Sequence, residues 1–424
     1  MIPARTKRQL EQLDWDFSEH LPGTSKTIHW YPGTFPADIP TTIIQALSKP
    51  NDLVLDPYGG VGTTALEAIR QARKAWLVES NPIGCLASYV SCGALLLKAI
   101  DGNLVPILIN SLRSIIDSCA TGQGTQSLID TDSMIAQDMD RLLSRLVRPT
   151  PEAFDEVFSS APAIGHLADW IEKETLRDIK TLLARLQESP IGPFGRLVGK
   201  AMLSAILRSA SSQTQSWGHI ADNVWPKSFE RKDVFRSASL WLTRFETMVA
   251  KTQVVGIPKD HRDELRLWVS LHNWALPELP TTRPKFGSAL MVTSPPYAGA
   301  IDYTLAQRLS LYLFGFVESD VNDLSKGEFG ARRRRRQPHS LESWAEELAD
   351  ALSKQLLCML PEAFSAFVLP HKDAGRDVGT LIMEDCLASL EWKKVIEVDR
   401  SIRQVRARQS WTSIKRETIH IFAR

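Results

Sequence analysis

The sequence predicts an α/β fold in which a largely parallel sheet, flanked by helices, is interrupted by a long helical insertion. Three observations predict it. Residues 53–56 (LVLD) are a short apolar run ending in an acid, followed by the glycine turn YGGVG and by TTALEAIRQAR, whose Ala65, Ala68, Ile69 and Ala72 recur at helical spacing. A second apolar run, Ala75 to Val78, ends in Glu79, and Asn81-Pro82 then opens an apolar helical stretch through Leu97. Strand character returns near Leu267 to Leu271 and in ALMVT, Ala289 to Thr293, so the sheet resumes. The βαβα order builds a parallel sheet with a crevice at the carboxyl ends of its strands.

The remaining elements follow in chain order. From about Asp101 to Glu264 the pattern is one of amphipathic stretches such as Thr175 to Leu186 and Gly199 to Ser209, separated by loops expected at Gly122 to Gln126, Ser159 to Gly165 and Pro190 to Gly195. Phe364 to Leu369, Lys394 to Val398 and Glu417 to Phe422 are further strand candidates, with a helix between Gly379 and Leu390. The last two strands read as an antiparallel pair closing the sheet. The expected organisation is a first half over 1–100, a helical insert over 101–270 and a second half over 271–424.

Composition narrows the function. Lys and Arg total 50 against 49 Asp and Glu, a net charge of +1, which excludes a polycationic binder held by a whole-molecule field. The neutrality hides segregation: residues 101–189 contain 14 acidic and 8 basic side chains, whereas 393–424 contain 9 basic and 3 acidic. Five scattered cysteines without a CxxC pair indicate neither a disulfide framework nor a zinc site, so no metal is expected. The polar, basic start and the lack of a run of about 18 apolar residues suggest a soluble cytoplasmic protein with no membrane partner.

Asp56-Pro57-Tyr58-Gly59-Gly60-Val61-Gly62-Thr63-Thr64 sets three glycines where a strand turns into a helix, letting backbone amides approach a ligand closely. The spacing is neither GxGxxG nor a Walker A, which argues against a nucleoside triphosphate. Glu79, ending the next strand, is placed to accept hydrogen bonds from the two hydroxyls of a ribose. A tight structural turn with a capping acid is the plainer alternative. The second constellation, Ser294-Pro295-Pro296-Tyr297, ends a strand. Its prolines stiffen the backbone, Ser294 Oγ and the Pro295 carbonyl can accept both hydrogens of an exocyclic amine, and Tyr297 offers a π face on which a base can stack. A Pro-Pro turn after a core strand is the alternative there.

DPYGGVGTT resembles the cofactor motif of the AdoMet-dependent DNA amino-methyltransferases, and TSPPYAGAIDY with Gln307-Arg308 resembles their catalytic motif and following loop. His29-Trp30-Tyr31-Pro32 with Phe35-Pro36 is similar to the segment that lines the cofactor pocket in that family. The resemblance covers roughly 15–100 and 270–424, and the insert is matched only by position. It implies a class I AdoMet-dependent methyltransferase (Rossmann-like) fold with S-adenosyl-L-methionine as cofactor. By resemblance, Tyr31, Phe35 and Tyr58 lie at the cofactor, Asp56, Gly59, Gly60 and Gly62 shape its methionine end, Thr63 and Thr64 bind its carboxylate, and Glu79 holds the ribose. Asn273 stands where the family often has an acid near the adenine, and Tyr58 stands where Phe is commoner. Ser294 at the first catalytic position is the form usual for cytosine N4, with adenine N6 second. No Pro-Cys supplies the thiolate that carbon-5 methylation requires.

The resemblance implies double-stranded DNA as substrate, its target base flipped out of the helix, and admits a cognate restriction nuclease as partner. Arg332, Arg333, Arg334, Arg335 and Arg336 are candidates for clamping phosphates, against the reading of a solvated loop. The insert is the candidate target-recognition region, with Gln213, Gln215, Trp217, His219, Asn223, Trp225 and Lys227 as a cluster able to read or stack on bases, Trp217 and Trp225 foremost. A helical subdomain that merely covers the sheet is the alternative. Asp302 and Tyr303 are placed either to order the catalytic loop or to touch the target. Two other functions stay open: an RNA guanine-N2 methyltransferase, from which an N-terminal RNA-binding domain would be expected, and a non-catalytic nucleic-acid-binding module that retains AdoMet.

Overall fold

The computed structural model describes residues 2–21, 27–122, 130–213, 225–298, 301–331, 340–371, 378–401 and 416–424. The first half runs α1 (Ala4–Gln12), α2 (Asp38–Leu47), β1 (Leu53–Asp56), α3 (Thr63–Arg70), β2 (Lys74–Glu79) and α4 (Pro82–Ile100). The insertion follows as α5 (Leu104–Thr121), α6 (Asp130–Leu146), β3 (Val147–Arg148), α7 (Pro151–Glu156), α8 (Ile164–Ala168), α9 (Lys173–Glu188), α10 (Gly192–Ala210) and α11 (Val234–Lys251). The second half is β4 (Leu267–Leu271), β5 (Ser288–Thr293), α12 (Tyr303–Ala306), α13 (Arg308–Leu313), α14 (Glu318–Lys326), α15 (Ser340–Leu356), β6 (Met359–His371), α16 (Val378–Ser389), β7 (Lys393–Ser401) and β8 (Arg416–Ala423).

The strands form one sheet in the order β3-β4-β2-β1-β5-β6-β8-β7, parallel except that β8 runs antiparallel to both β6 and β7. This is the class I methyltransferase sheet with one extra short edge strand, β3. Chain order departs in opposite directions from β1, to β2 and β4 on one side and β5 and β6 on the other. The crevice between the carboxyl ends of β1 and β5 is therefore the topological switch point at which such sheets bind ligands.

Alternation along the strands separates two cores. Val54, Ala75, Leu77, Leu290 and Val292 join α3, α4 and the insertion on one face, while Leu53, Leu55, Trp76, Val78 and Met291 join α15 and α16 on the other. Helix α4 is long and apolar enough for a membrane span by composition alone, but 83% of its apolar window is buried inside this fold. Helix α10 is the hub of the insertion, burying Phe194, Leu197, Val198, Ala201 and Met202 against α4, α6, α7, α9, α11 and α13. The insertion and the sheet thus share one continuous core.

Three expectations need correction. Ser159 to Gly165 is a loop only as far as Ala163, since α8 begins at Ile164. Pro190 to Gly195 is a loop only at its start: α10 begins at Gly192, because Pro193 sits in the first turn, where a missing N–H costs nothing. Also, the cationic excess of 393–424 is in part spent internally. Lys394 pairs with Glu384 and Glu397, Arg400 with Glu417, and Arg416 with Asp399.

Candidate active site

A cleft opens at the switch point, lined by residues that follow β1, β2, β4 and β5. Its floor is the turn after β1. Gly60 and Gly62 have positive φ, and a Cβ on Gly59 would lie 2.2 Å from Leu77 Cγ, so the chain turns this tightly only as glycine. The turn is also latched from β2. Glu79 accepts hydrogen bonds from the Gly60 amide and the Asn81 amide, both at 2.8 Å. Burial raises the Glu79 carboxyl above its ordinary range, and these two amides act against the rise. Oε1 also receives Ser80 Oγ at 3.4 Å, whereas Oε2 keeps a second lone pair for a ligand hydroxyl.

Asp56 ties the two halves together. Its Oδ1 accepts from Thr293 Oγ1 at 2.7 Å, joining the ends of β1 and β5, and from the Tyr58 amide at 3.2 Å. Burial pushes this carboxyl up to about 6, opposed by the bonds from Thr293, Thr64 and Tyr58. Tyr31, Phe35, Asp56, Tyr58, Gly59, Gly60, Thr63, Glu79 and Asn273 all line the cleft. Gly62 and Thr64 do not: Gly62 caps α3, and Thr64 is buried with its one hydroxyl proton shared between Asp56 and the Val292 carbonyl, the latter at 3.4 Å. Asn273 donates to the Gly327 carbonyl at 2.7 Å, and its own carbonyl oxygen receives the Ala275 amide at 3.0 Å.

The motif after β5 reaches the same cleft through Ser294 and Pro296, whereas Pro295 and Tyr297 do not line it. Ser294 Oγ donates to Tyr297 Oη at 3.1 Å; Tyr297 Oη in turn has the Val368 carbonyl at 3.2 Å and Glu417 Oε1 at 3.3 Å. The Pro296 carbonyl accepts from Trp344 Nε1 at 3.2 Å. Tyr303 stacks on Tyr31 with ring centroids 5.6 Å apart, joining the loop beyond the motif to the segment before α2.

Several residues that complete the cleft have no sequence signature. Glu328 accepts the backbone amides of Tyr303 and Thr304 and so holds the start of α12; burial raises its carboxyl to about 7. Phe329 stacks on Tyr58 at 5.9 Å, and Trp274 donates to the Pro57 carbonyl at 2.8 Å. His272 lines the cleft with a buried Nε2 that has no partner among the described residues, as expected where a ligand's polar atom completes the site. Just before the cleft segment, His29 and Trp30 join it to the insertion: His29 Nε2 meets Ser204 Oγ at 2.8 Å, and the Arg208 guanidinium covers Trp30 at 4.2 Å. Burial lowers His29 to about 4, so its imidazole is neutral.

Arg332 to Arg336, with Gln215, Trp217, His219 and Asn223, fall outside the described residues. Trp225 is half exposed, and one of its faces is stacked on Trp170 at 4.8 Å.

Residues 3–88 match the family model of DNA methylases of the N6/N4 type. The Type II methyltransferase M.PvuII of Proteus hauseri is 38% identical over 74 residues, which is 18% of this chain and 20% of that protein. The chain thus matches about a fifth of the length of this relative. The rRNA methyltransferase aviRa from Streptomyces viridochromogenes is similar over 97% of this chain and 94% of its own, at 12% identity and a TM-score of 0.33, a likeness too loose to speak to substrate. The two sequence matches support the DNA amino-methyltransferase family. The segment matched by the family model contains Tyr31, the glycine turn and Glu79 and ends well before Ser294.

Proposed function

We propose that this chain, bearing the cofactor half of a DNA amino-methyltransferase, methylates the exocyclic N4 of cytosine in duplex DNA, using S-adenosyl-L-methionine. One observation carries the reading: Ser294 and Pro296 line the same cleft as Asp56, Gly59, Gly60 and Glu79, so a nucleoside-type site and an amine-binding motif share one cavity. The residues present suit the cofactor. Glu79 has acceptor capacity for a ribose, the glycine turn admits close backbone approach, and Asn273 and His272 add polar atoms at one wall. When bound, AdoMet supplies an electrophilic methyl group. The chain's own contribution is placement.

An exocyclic amine is a weak nucleophile because its lone pair is delocalised into the ring. In this reading Ser294 Oγ, at the cleft, and the carbonyl of Pro295, just behind its lining, accept its two hydrogens, favour a tetrahedral nitrogen and free the lone pair, so that catalysis comes mainly from positioning. Tyr297 stacks on the extruded base, the insertion serves target recognition, and Arg332 to Arg336 contact phosphates in a salt-sensitive way. Serine at the first motif position favours cytosine. Adenine N6 is the second reading, since the matching family model spans both amines.

Incubation with methyl-labelled AdoMet and mixed-sequence duplex DNA, followed by digestion to nucleosides, tests this. N4-methylcytosine is expected. N6-methyladenine would replace the first reading with the second, and label in RNA alone, or in no nucleic acid while AdoMet still binds, would sink both. Ser294→Ala should lose about 100-fold or more in transfer with AdoMet binding retained.

A further inference from the structure

Three polar groups surround the Tyr297 hydroxyl: Ser294 Oγ at 3.1 Å, the Val368 carbonyl at 3.2 Å and Glu417 Oε1 at 3.3 Å. A phenol has one proton to give. The carbonyl has none to offer in return, and neither has the carboxylate. The Tyr297 proton must therefore go toward β6 and β8, and Ser294, the remaining neighbour, must supply the proton that Tyr297 receives. The hydroxyl chain thus has a fixed direction, from Ser294 through Tyr297 to Val368 and Glu417.

Glu417 is itself held. Arg400 lies directly across the β7–β8 ladder and bonds Glu417 Oε2 through Nη1 at 2.6 Å, while its Nε donates to the Trp15 carbonyl at 3.3 Å. Only 5% of the Arg400 side chain and 13% of the Glu417 side chain are exposed, so the pair is screened little by water. Burial raises the Glu417 carboxyl above its ordinary range, and Arg400 acts against the rise. The guanidinium bond at Oε2 is the contact that favours the carboxylate, the form in which Glu417 is a pure acceptor.

We infer that Glu417, held by Arg400, is a positioning residue that orients the Ser294 hydroxyl, so that Ser294 meets the target amine only as an acceptor. The inference rests on the proposed reaction and adds to it. A serine free to rotate could donate to the amine nitrogen and tie up the lone pair that has to react. With its proton committed to Tyr297, Ser294 has only lone pairs to offer the amine hydrogens. The strands that close the sheet, some 120 residues beyond the motif, would then set the chemistry of its first residue.

Neutron diffraction from crystals of the full chain exchanged into D2O reads the inference directly. The Ser294 deuteron is expected on the line to Tyr297 Oη; a deuteron pointing elsewhere overturns it, whether or not the protein transfers a methyl group. Kinetics provide the second arm. Tyr297→Phe keeps the ring and removes the relay, and Glu417→Gln puts an amide that can donate beside Tyr297. Both should lower kcat by roughly tenfold or more, with AdoMet Kd and DNA KM little changed. Arg400→Lys, which keeps the positive charge, should restore most of the rate lost in Arg400→Met. Wild-type kcat in both Tyr297→Phe and Glu417→Gln would overturn the inference, as would loss of rate only in proportion to loss of AdoMet-binding protein, the mark of a purely structural pair. A wild-type enzyme that methylates no base in the same assay would instead overturn the functional reading, while the deuteron still decides the direction of the hydroxyl.

Discussion

The turns after β1 and β5 stand side by side at one edge of the sheet, and they are held by opposite means. The first is held mainly by its neighbours: its glycines fit under Leu77 and Ser88 and Glu79 latches it from the next strand, with Trp274 bonding the Pro57 carbonyl from farther along the chain. The second is held from a distance, by Val368, Glu417 and Trp344, brought in on β6, β8 and α15. The difference follows the division of labour proposed for them. A cofactor common to many enzymes can be bound by a compact, self-sufficient turn, whereas orienting a reactive amine takes side chains whose rotamers are locked from several directions.

The largest expected effect breaks the local turn. Gly62 has φ +86°, and a Cβ there would lie 2.6 Å from Ser88 Cβ and 3.0 Å from Ser88 Cα, so Gly62→Ala combines a left-handed backbone with contact against a buried helix. Strain of roughly 1–2 kcal/mol and overpacking of about 1–3 kcal/mol should together weaken AdoMet binding by about 100-fold, measurable by calorimetry. Affinity within threefold of wild type would show that the turn is not held by sterics.

A smaller effect sharpens the contrast at the loop beyond the second turn. Glu328, raised to about 7 by burial, holds the amides of Tyr303 and Thr304. Its pKa when folded lies above the unfolded value, so the folded state binds more protons between about pH 4.5 and pH 7. Its contribution is fully present below about 4.5 and is lost as pH rises through about 7, amounting to about 3 kcal/mol. Urea unfolding at pH 5 and pH 8 should show a steeper fall in wild type than in Glu328→Gln. Parallel pH profiles would mean that Glu328 titrates as it does in the unfolded chain.

What could be read in the sequence divides along the same line. β1, the glycine turn, β2 and Glu79 were legible because their determinants lie within 30 residues and alternate or repeat at the period of one element. Ser294 to Tyr297 could be recognised, but the groups that orient them could not: Glu328 acts across 25 residues and Glu417 across 120, and neither belongs to a motif. Charge counting failed for a related reason. It registers the excess over 393–424 but not that Lys394, Arg400 and Arg416 face acids on their own or neighbouring elements. Thr64 reads as a ligand contact because it follows the glycines, yet it lies on the side of α3 that faces β5.

The smallest expected effect comes from a second position, beside Pro57, where the first turn borrows from the distant face of the sheet. Tyr58 stacks on Phe329, and its hydroxyl accepts from Gln355 Nε2 at 3.0 Å; Gln355 is 1% exposed. Tyr58→Phe keeps the ring in the cleft wall but leaves a buried amide without its partner. AdoMet affinity should stay within about twofold, while unfolding free energy falls by about 1–2 kcal/mol. The pairing of outcomes matters more than either alone. Lost affinity with unchanged stability would place the Tyr58 hydroxyl in ligand contact and make the first turn less self-sufficient than its glycines suggest. Lost stability alone would mean that the hydroxyl serves α15, so that a phenylalanine with a repacked partner at position 355 should restore it.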